Sequence, residues 1–200
     1  MEQTPEVIIQ RIVVAFERRE LPESGLVFQS HSFEVDTQII ERLARQTTWI
    51  DFPRDVLCEN PLALAFMTPE AFAWFLPAYL VMSVARYAET RTLTSSLLTC
   101  LTPPDEADAR EFKALVDEMH ALDPDILLEE DATDALGADE ELLQFVMERA
   151  AVLTQDEKVA VRDYLEYIEA AHGADFPDFG PKLALDRYWA AAARTADGES

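Results

Sequence analysis

The chain is short of three things: glycine, cysteine and positive charge. Only five of its 200 residues are glycine, too few for the many tight turns of an all-β fold. Cysteine is confined to Cys58 and Cys100, with no C-x-x-C pair. That excludes a disulfide-stapled scaffold and fits a reducing compartment. Lys and Arg number 16 against 39 Asp and Glu, a formal net charge of −23. So negative a chain repels phosphate backbones and anionic bilayers, so neither a nucleic-acid nor a membrane partner is expected. It attracts a basic protein instead, or imitates a nucleic acid towards one. The opening MEQTPEVIIQR has neither the basic start nor the apolar run of a signal peptide, and cytoplasmic residence is the default expectation.

The familiar chemical signatures are missing too. There is no G-x-G-x-x-G, no P-loop and no G-x-S-x-G, so no cofactor and no catalytic residue is assigned. His31, His120 and His172 are far apart and none sits in H-E-x-x-H spacing. His120 has Asp117, Asp123 and Asp125 near it in sequence, but a helix-end histidine among acids is ordinarily just exposed, and no metal is expected. The acidic run is no EF-hand: the sixth position counted from Asp131 is Leu136, and Gly137 is out of register. Carboxylate pairs are so abundant that their presence discriminates nothing.

What the chain does have is apolar helix-forming sequence, most concentrated in FMTPEAFAWFLPAYLVMSVARY, residues 66–87. A membrane span needs about 20 apolar residues; here Glu70 and Arg86 bound a shorter run and Pro77 interrupts it. Thr68 is placed to cap a helix, Pro69 suits its first position, and Glu70 complements the positive end of the dipole. Beyond them almost every position is apolar, which predicts a helix buried on all sides, kinked near Ala73–Pro77 because Pro77 has no N–H for the Ala73 carbonyl.

Similar start signals recur. Thr4-Pro5-Glu6 opens an amphipathic segment with Ile8, Ile12, Ala15 and Phe16 on one face, and Thr154 with Glu157 makes a capping box before Val161, Tyr164, Leu165 and Ile168. Thr102-Pro103-Pro104-Asp105 opens another helix, with Phe112, Leu115, Val116 and Met119 inward. Further helices are expected over residues 36–46, 53–59, 92–101, 139–151 and 181–193, and 26–35 alone shows strand-like alternation. Trp49, Trp74 and Trp189 read as core anchors, Trp49 being the one best placed to be exposed. The expectation is one all-α domain over residues 1–194, a bundle of about seven to nine helices around the Pro77 helix, with a disordered tail over 195–200.

Three segments together carry a resemblance. They are NPLALAFMTPEAF running into FLPAYL (residues 60–80), LTQ followed by VRDYL (153–165), and Asp186-Arg187-Tyr188-Trp189. The chain resembles a bacterial family of unknown function with a TPEAF…FLPAYL core motif and an LT…Q…V…FL helix. The resemblance spans about Trp49 to Trp189 and implies no activity and no catalytic residue.

Charge is unevenly spread. Residues 105–141 hold 15 acids against Arg110 and Lys113, a net of −13. A concentrated field of one sign steers oppositely charged partners. Asp117, Glu118, Asp125, Glu129, Glu130, Asp131 and Asp134 are therefore the expected contact surface for a basic protein. The expected function is that of a non-catalytic acidic binding protein of the immunity or antitoxin kind, which neutralises a basic toxin or effector domain. Two alternatives stand beside it: a small-ligand protein or enzyme with a pocket at the Pro77 kink offering Tyr79, Ser83 and Arg86, and a nucleic-acid mimic. Oligomeric state stays open.

Overall fold

The computed structural model describes residues 3–22, 48–50, 53–59, 61, 63–105, 135–177 and 180–194. Its elements are α1 (Pro5–Phe16), α2 (Arg54–Glu59), α3 (Pro69–Ala85), α4 (Arg91–Leu101), α5 (Ala135–Ala151), α6 (Gln155–His172), α7 (Pro181–Ala184) and α8 (Ala190–Ala192), with short 3₁₀ turns between. Among the described residues there is no strand, and the class is all-α as composition predicts. The chain forms two compact units, Met1–Thr102 with Arg149–Ser200, and Pro103–Glu148. The expectations for 26–35, 36–46, the helix after Thr102 and the tail 195–200 lie outside the described residues.

The first unit is organised by α3. Its start is as the residues dictate: the Thr68 hydroxyl accepts from the Ala71 N–H at 3.4 Å, and Pro69 holds the first position. Every residue from Ala71 to Leu80 is buried, Pro77 included. With no polar face, such a helix is stable only when other elements cover it all round. α1, α4 and α6 each pack against it.

α6 begins with the complete capping box: the Thr154 hydroxyl accepts from the Glu157 N–H at 3.3 Å, and the Glu157 carboxylate accepts from the Thr154 N–H at 2.7 Å. Its buried face is Ala160, Val161, Tyr164, Leu165 and Ile168. Three helices are joined by buried hydroxyls: Tyr164 Oη lies 2.7 Å from Ser83 Oγ, which lies 3.1 Å from Thr94 Oγ1, which lies 3.0 Å from the Thr90 carbonyl. The carbonyl can only accept and each hydroxyl has one proton. Thr94 thus shares its proton between Ser83 Oγ and the Thr90 carbonyl, and Ser83 is bonded in turn to Tyr164.

The tryptophans are core anchors. The Trp49 indole N–H donates to the Phe16 carbonyl at 3.2 Å and that of Trp189 to the Leu101 carbonyl at 2.7 Å. Trp49 is 5% exposed, so it is not the exposed exception that its neighbours Asp51, Phe52 and Pro53 made plausible. Where one helix over 181–193 was expected, α7 passes through a π-helical turn, Leu185–Trp189, into α8. The wider turn re-phases the side chains that follow. Arg149, at the end of α5, is 2% exposed; its guanidinium donates to the Met67 carbonyl and, at 3.2 Å, to that of Ala65, and lies 5.5 Å from the Phe72 ring centroid.

Ser83→Ala leaves the buried Tyr164 hydroxyl without its partner and Tyr164→Phe takes one of two from Ser83, so each should cost about 1–3 kcal/mol of stability. Urea unfolding of the two single variants and the double should show coupling of about 0.5–3 kcal/mol. Strict additivity would contradict the relay.

Candidate functional site

The seven acids expected to form the contact surface, Asp117, Glu118, Asp125, Glu129, Glu130, Asp131 and Asp134, lie outside the described residues, as does His120. Among the described residues no group of three or more His, Cys, Asp or Glu is placed to hold a metal. No described helix is long and apolar enough to cross a membrane.

Of the three polar groups near Pro77, Tyr79 and Ser83 are buried and Arg86 is exposed. Tyr79 is buried, with burial pushing its phenol above the ordinary value. Ser83 is occupied in the hydroxyl relay. Arg86 is mostly exposed, 3.4 Å from Glu89. Burial likewise pushes the Cys100 thiol up to about 11, which makes it a poor nucleophile at neutral pH.

Among the described residues of the first unit are two hollows that do not touch the Ala73–Pro77 turn. The larger, about 390 Å³, lies between α1 and α6, lined by Gln10, Arg11, Val14, Ala15, Asp156, Val159, Ala160 and Asp163. These helices run antiparallel, since Arg11 meets Asp163 and Arg19 meets Glu157. Both carboxylates are nearly buried, at 5% and 2% exposure. Asp163 accepts from Arg11 at 2.5 Å on one oxygen and from Arg162 at 2.6 and 3.1 Å on the other. Glu157 accepts from the Arg19 Nε–H at 2.9 Å while completing its own helix cap. A buried carboxylate is tolerated when its oxygens are filled in this way. The small residues Ala15 and Ala160 leave the space between the helices open.

The smaller hollow, about 300 Å³, sits beyond the end of α6, between Glu169, Gly173, Phe176, Gly180, Lys182 and Asp186. Here Gly180, the residue before α7, has no side chain to cap it, and Pro181 has no N–H. The Lys182 N–H is answered instead by Glu169 Oε2 at 3.2 Å. That carboxylate lies over Gly173, where a β-carbon would come within 2.9 Å of it. Glu169 thus caps α7 from a distance, and glycine at 173 makes room for it.

Near this hollow a group of titratable side chains meets around His172. The His172 ring stacks on Tyr87 at 3.5 Å with 5° between planes, and Tyr167 meets it edge-on at 6.2 Å. The Tyr87 hydroxyl donates to Asp175 Oδ2 at 2.7 Å, and Arg91 approaches Asp175 Oδ1 at 3.1 Å. Burial, then the hydrogen bond to Asp175, push the Tyr87 phenol up to about 12, so it stays a donor. Burial pulls His172 below the ordinary histidine value, the Asp175 charge opposing it. A neutral imidazole held by stacking with its polar neighbours already engaged serves packing better than proton transfer.

A protein-family model described as "Family of unknown function (DUF6714)" matches residues 5–125, more than half of the chain. The chain belongs to that family. Neither a curated protein nor a solved structure matches it. The DUF6714 match contains α1 to α4, and with them the 60–80 segment that carried the first part of the resemblance. The segments at 153–165 and 186–189 lie beyond it, so the groove has one wall inside the family match, α1, and one outside, α6.

Sequence reasoning missed the groove. Its signal was present in α1: residues 7–16, VIIQRIVVAF, hold only Gln10 and Arg11 as polar positions, more apolar surface than a single inward face at Ile8, Ile12 and Phe16 uses.

Because the fold disfavours the charged imidazole, His172 contributes stability that is fully present above the unfolded value near pH 6.5 and is lost as pH falls through it. Thermal unfolding at pH 7.5 and 5.0 should therefore show the native protein losing ground to His172→Phe, which keeps the stack and cannot take up a proton. Parallel pH profiles of the two proteins would contradict this.

Proposed function

We propose that this protein is a non-catalytic acidic binding protein of the cytoplasm, and that it neutralises a basic protein, of the toxin or effector-domain kind, by covering its positive surface. The observation that carries the proposal is the charge: −23 overall, with a net of −13 concentrated in residues 105–141. Opposite charge on two surfaces speeds their encounter and suppresses wrong partners, which suits a protein that must reach a harmful partner before that partner acts.

The disposition of the bases supports the same reading. Arg11 and Arg162 serve Asp163, Arg19 serves Glu157, and Arg149 is buried against backbone carbonyls. Arg149 is buried, and the other three, partly exposed, each have a carboxylate beside them that offsets their charge. The contact acids are Asp117, Glu118, Asp125, Glu129, Glu130, Asp131 and Asp134.

The test is co-purification with a basic protein encoded beside this one, followed by reversal of Asp125, Glu129, Glu130 and Asp131 to lysine. Affinity should fall at least about tenfold, and its dependence on salt should flatten. Unchanged affinity and unchanged salt dependence would remove the surface assignment. Displacement of the partner by DNA at stoichiometric concentration would favour nucleic-acid mimicry.

A further inference from the structure

The groove between α1 and α6 leaves apolar surface uncovered where the sequence provides a helix apolar nearly all round. Ile8, Ile12 and Phe16 are fully buried, yet Val7 is 40% and Val14 55% exposed. Helical spacing puts Val7, Gln10, Arg11 and Val14 on one stripe. Gln10, Arg11 and Val14 form the α1 wall of the hollow, and Val159 and Ala160 bring apolar surface from α6. A concave, largely apolar place of this size, with a few polar groups at its edge, is the form that an anchoring side chain of a partner fills.

The polar edge decides what kind of partner. Arg11 and Arg162 share Asp163, Arg162 also lies 3.7 Å from Glu166, and Arg19 is held by Glu157, so the charge of these bases is balanced by carboxylates beside them. Asp156 at one end of the groove and Glu6 towards the other are exposed carboxylates. Hydrogen bonds from its own backbone and from Thr4 hold the Glu6 carboxyl below its usual value, and it stays charged. A second copy of the chain would bring another charge of −23 to this face, and self-repulsion of that size opposes pairing. Nucleic acid and anionic bilayers meet the same repulsion.

We propose that the α1–α6 groove is a docking site for an apolar side chain flanked by lysine or arginine on a cationic protein partner. The proposal rests on the binding role given above and adds an anchor to it: charge brings the partner in, and the groove holds an apolar group that slows its release.

The probes are two synthetic helical peptides of equal charge, one of leucine and lysine, the other of glutamine and lysine. Each is titrated calorimetrically into the full chain at about 150 mM salt, where distant surface charges are screened. Val14→Asp alters an exposed residue and adds a charge attractive to both peptides. It should nevertheless weaken the leucine–lysine peptide at least about tenfold and leave the glutamine–lysine peptide as tight or tighter. Ala15→Trp, which fills the floor without changing charge, should weaken the leucine–lysine peptide alone, circular dichroism confirming that both variants are folded.

If Val14→Asp and Ala15→Trp leave the leucine–lysine peptide unaffected, the groove is not the anchor and the proposal is overturned. In that case the four-lysine reversal at Asp125, Glu129, Glu130 and Asp131 still reports on the acidic surface, because it should weaken both peptides. If the reversal changes neither peptide while Val14→Asp acts as expected, the groove stands and the acidic surface falls. Sedimentation of the chain alone supplies the last arm: a dimer abolished by Val14→Asp would make the occupant a second copy and overturn the choice of partner.

Discussion

An α-helix without a polar face cannot border water, and the first unit is arranged around that restriction. Between Ala71 and Leu80, α3 offers nothing but buried side chains, so α1, α4 and α6 must enclose it. Enclosure by apolar packing sets no unique register, because hydrophobic contact is nearly indifferent to sliding. Directional contacts supply the register: the hydroxyl relay ties α3, α4 and α6, and the two indoles fix Trp49 to the end of α1 and Trp189 to the end of α4. In each, a misplaced helix would leave a buried polar group unsatisfied.

The same division of labour holds between α1 and α6. Their apolar faces turn to α3, while the seam between them is ionic, Arg11 on Asp163 and Arg19 on Glu157. Glu157 serves two purposes at once, closing the cap of its own helix and receiving a guanidinium from the far side of α1. Arginine suits such a seam because its planar fork fills both oxygens of a carboxylate, as Arg19 does here. The seam pairs acids and bases in equal number, so the excess of 39 acids over 16 bases is left unchanged.

Local signals were legible and relational ones were not. The caps at Thr68 and Thr154 could be read because both partners lie within four residues of each other, and the apolar run behind Thr68 told its own burial. α5 begins at Ala135 rather than at Asp139 and takes in Gly137, since a glycine inside a helix costs only about 1 kcal/mol. The π-helical turn at Leu185–Trp189 left no mark in periodicity, since five residues are too few to shift a pattern visibly. Arg149 is the base in the last turn of α5, and its place against the carbonyls of Ala65 and Met67 depends on residues more than eighty positions away. The groove belongs with these, because its two walls come from opposite ends of the chain, and only half of its signal lay in either one.

The carboxylate of Glu169 closing over Gly173 to reach Lys182 has an evolutionary corollary. A β-carbon at 173 would meet the flexible end of the Glu169 side chain, which can swing aside, so the coupling between the two positions is soft. What a lineage stands to lose with the glycine is the exposed contact to Lys182, and a shorter residue at 169 gives up the same contact from the other side.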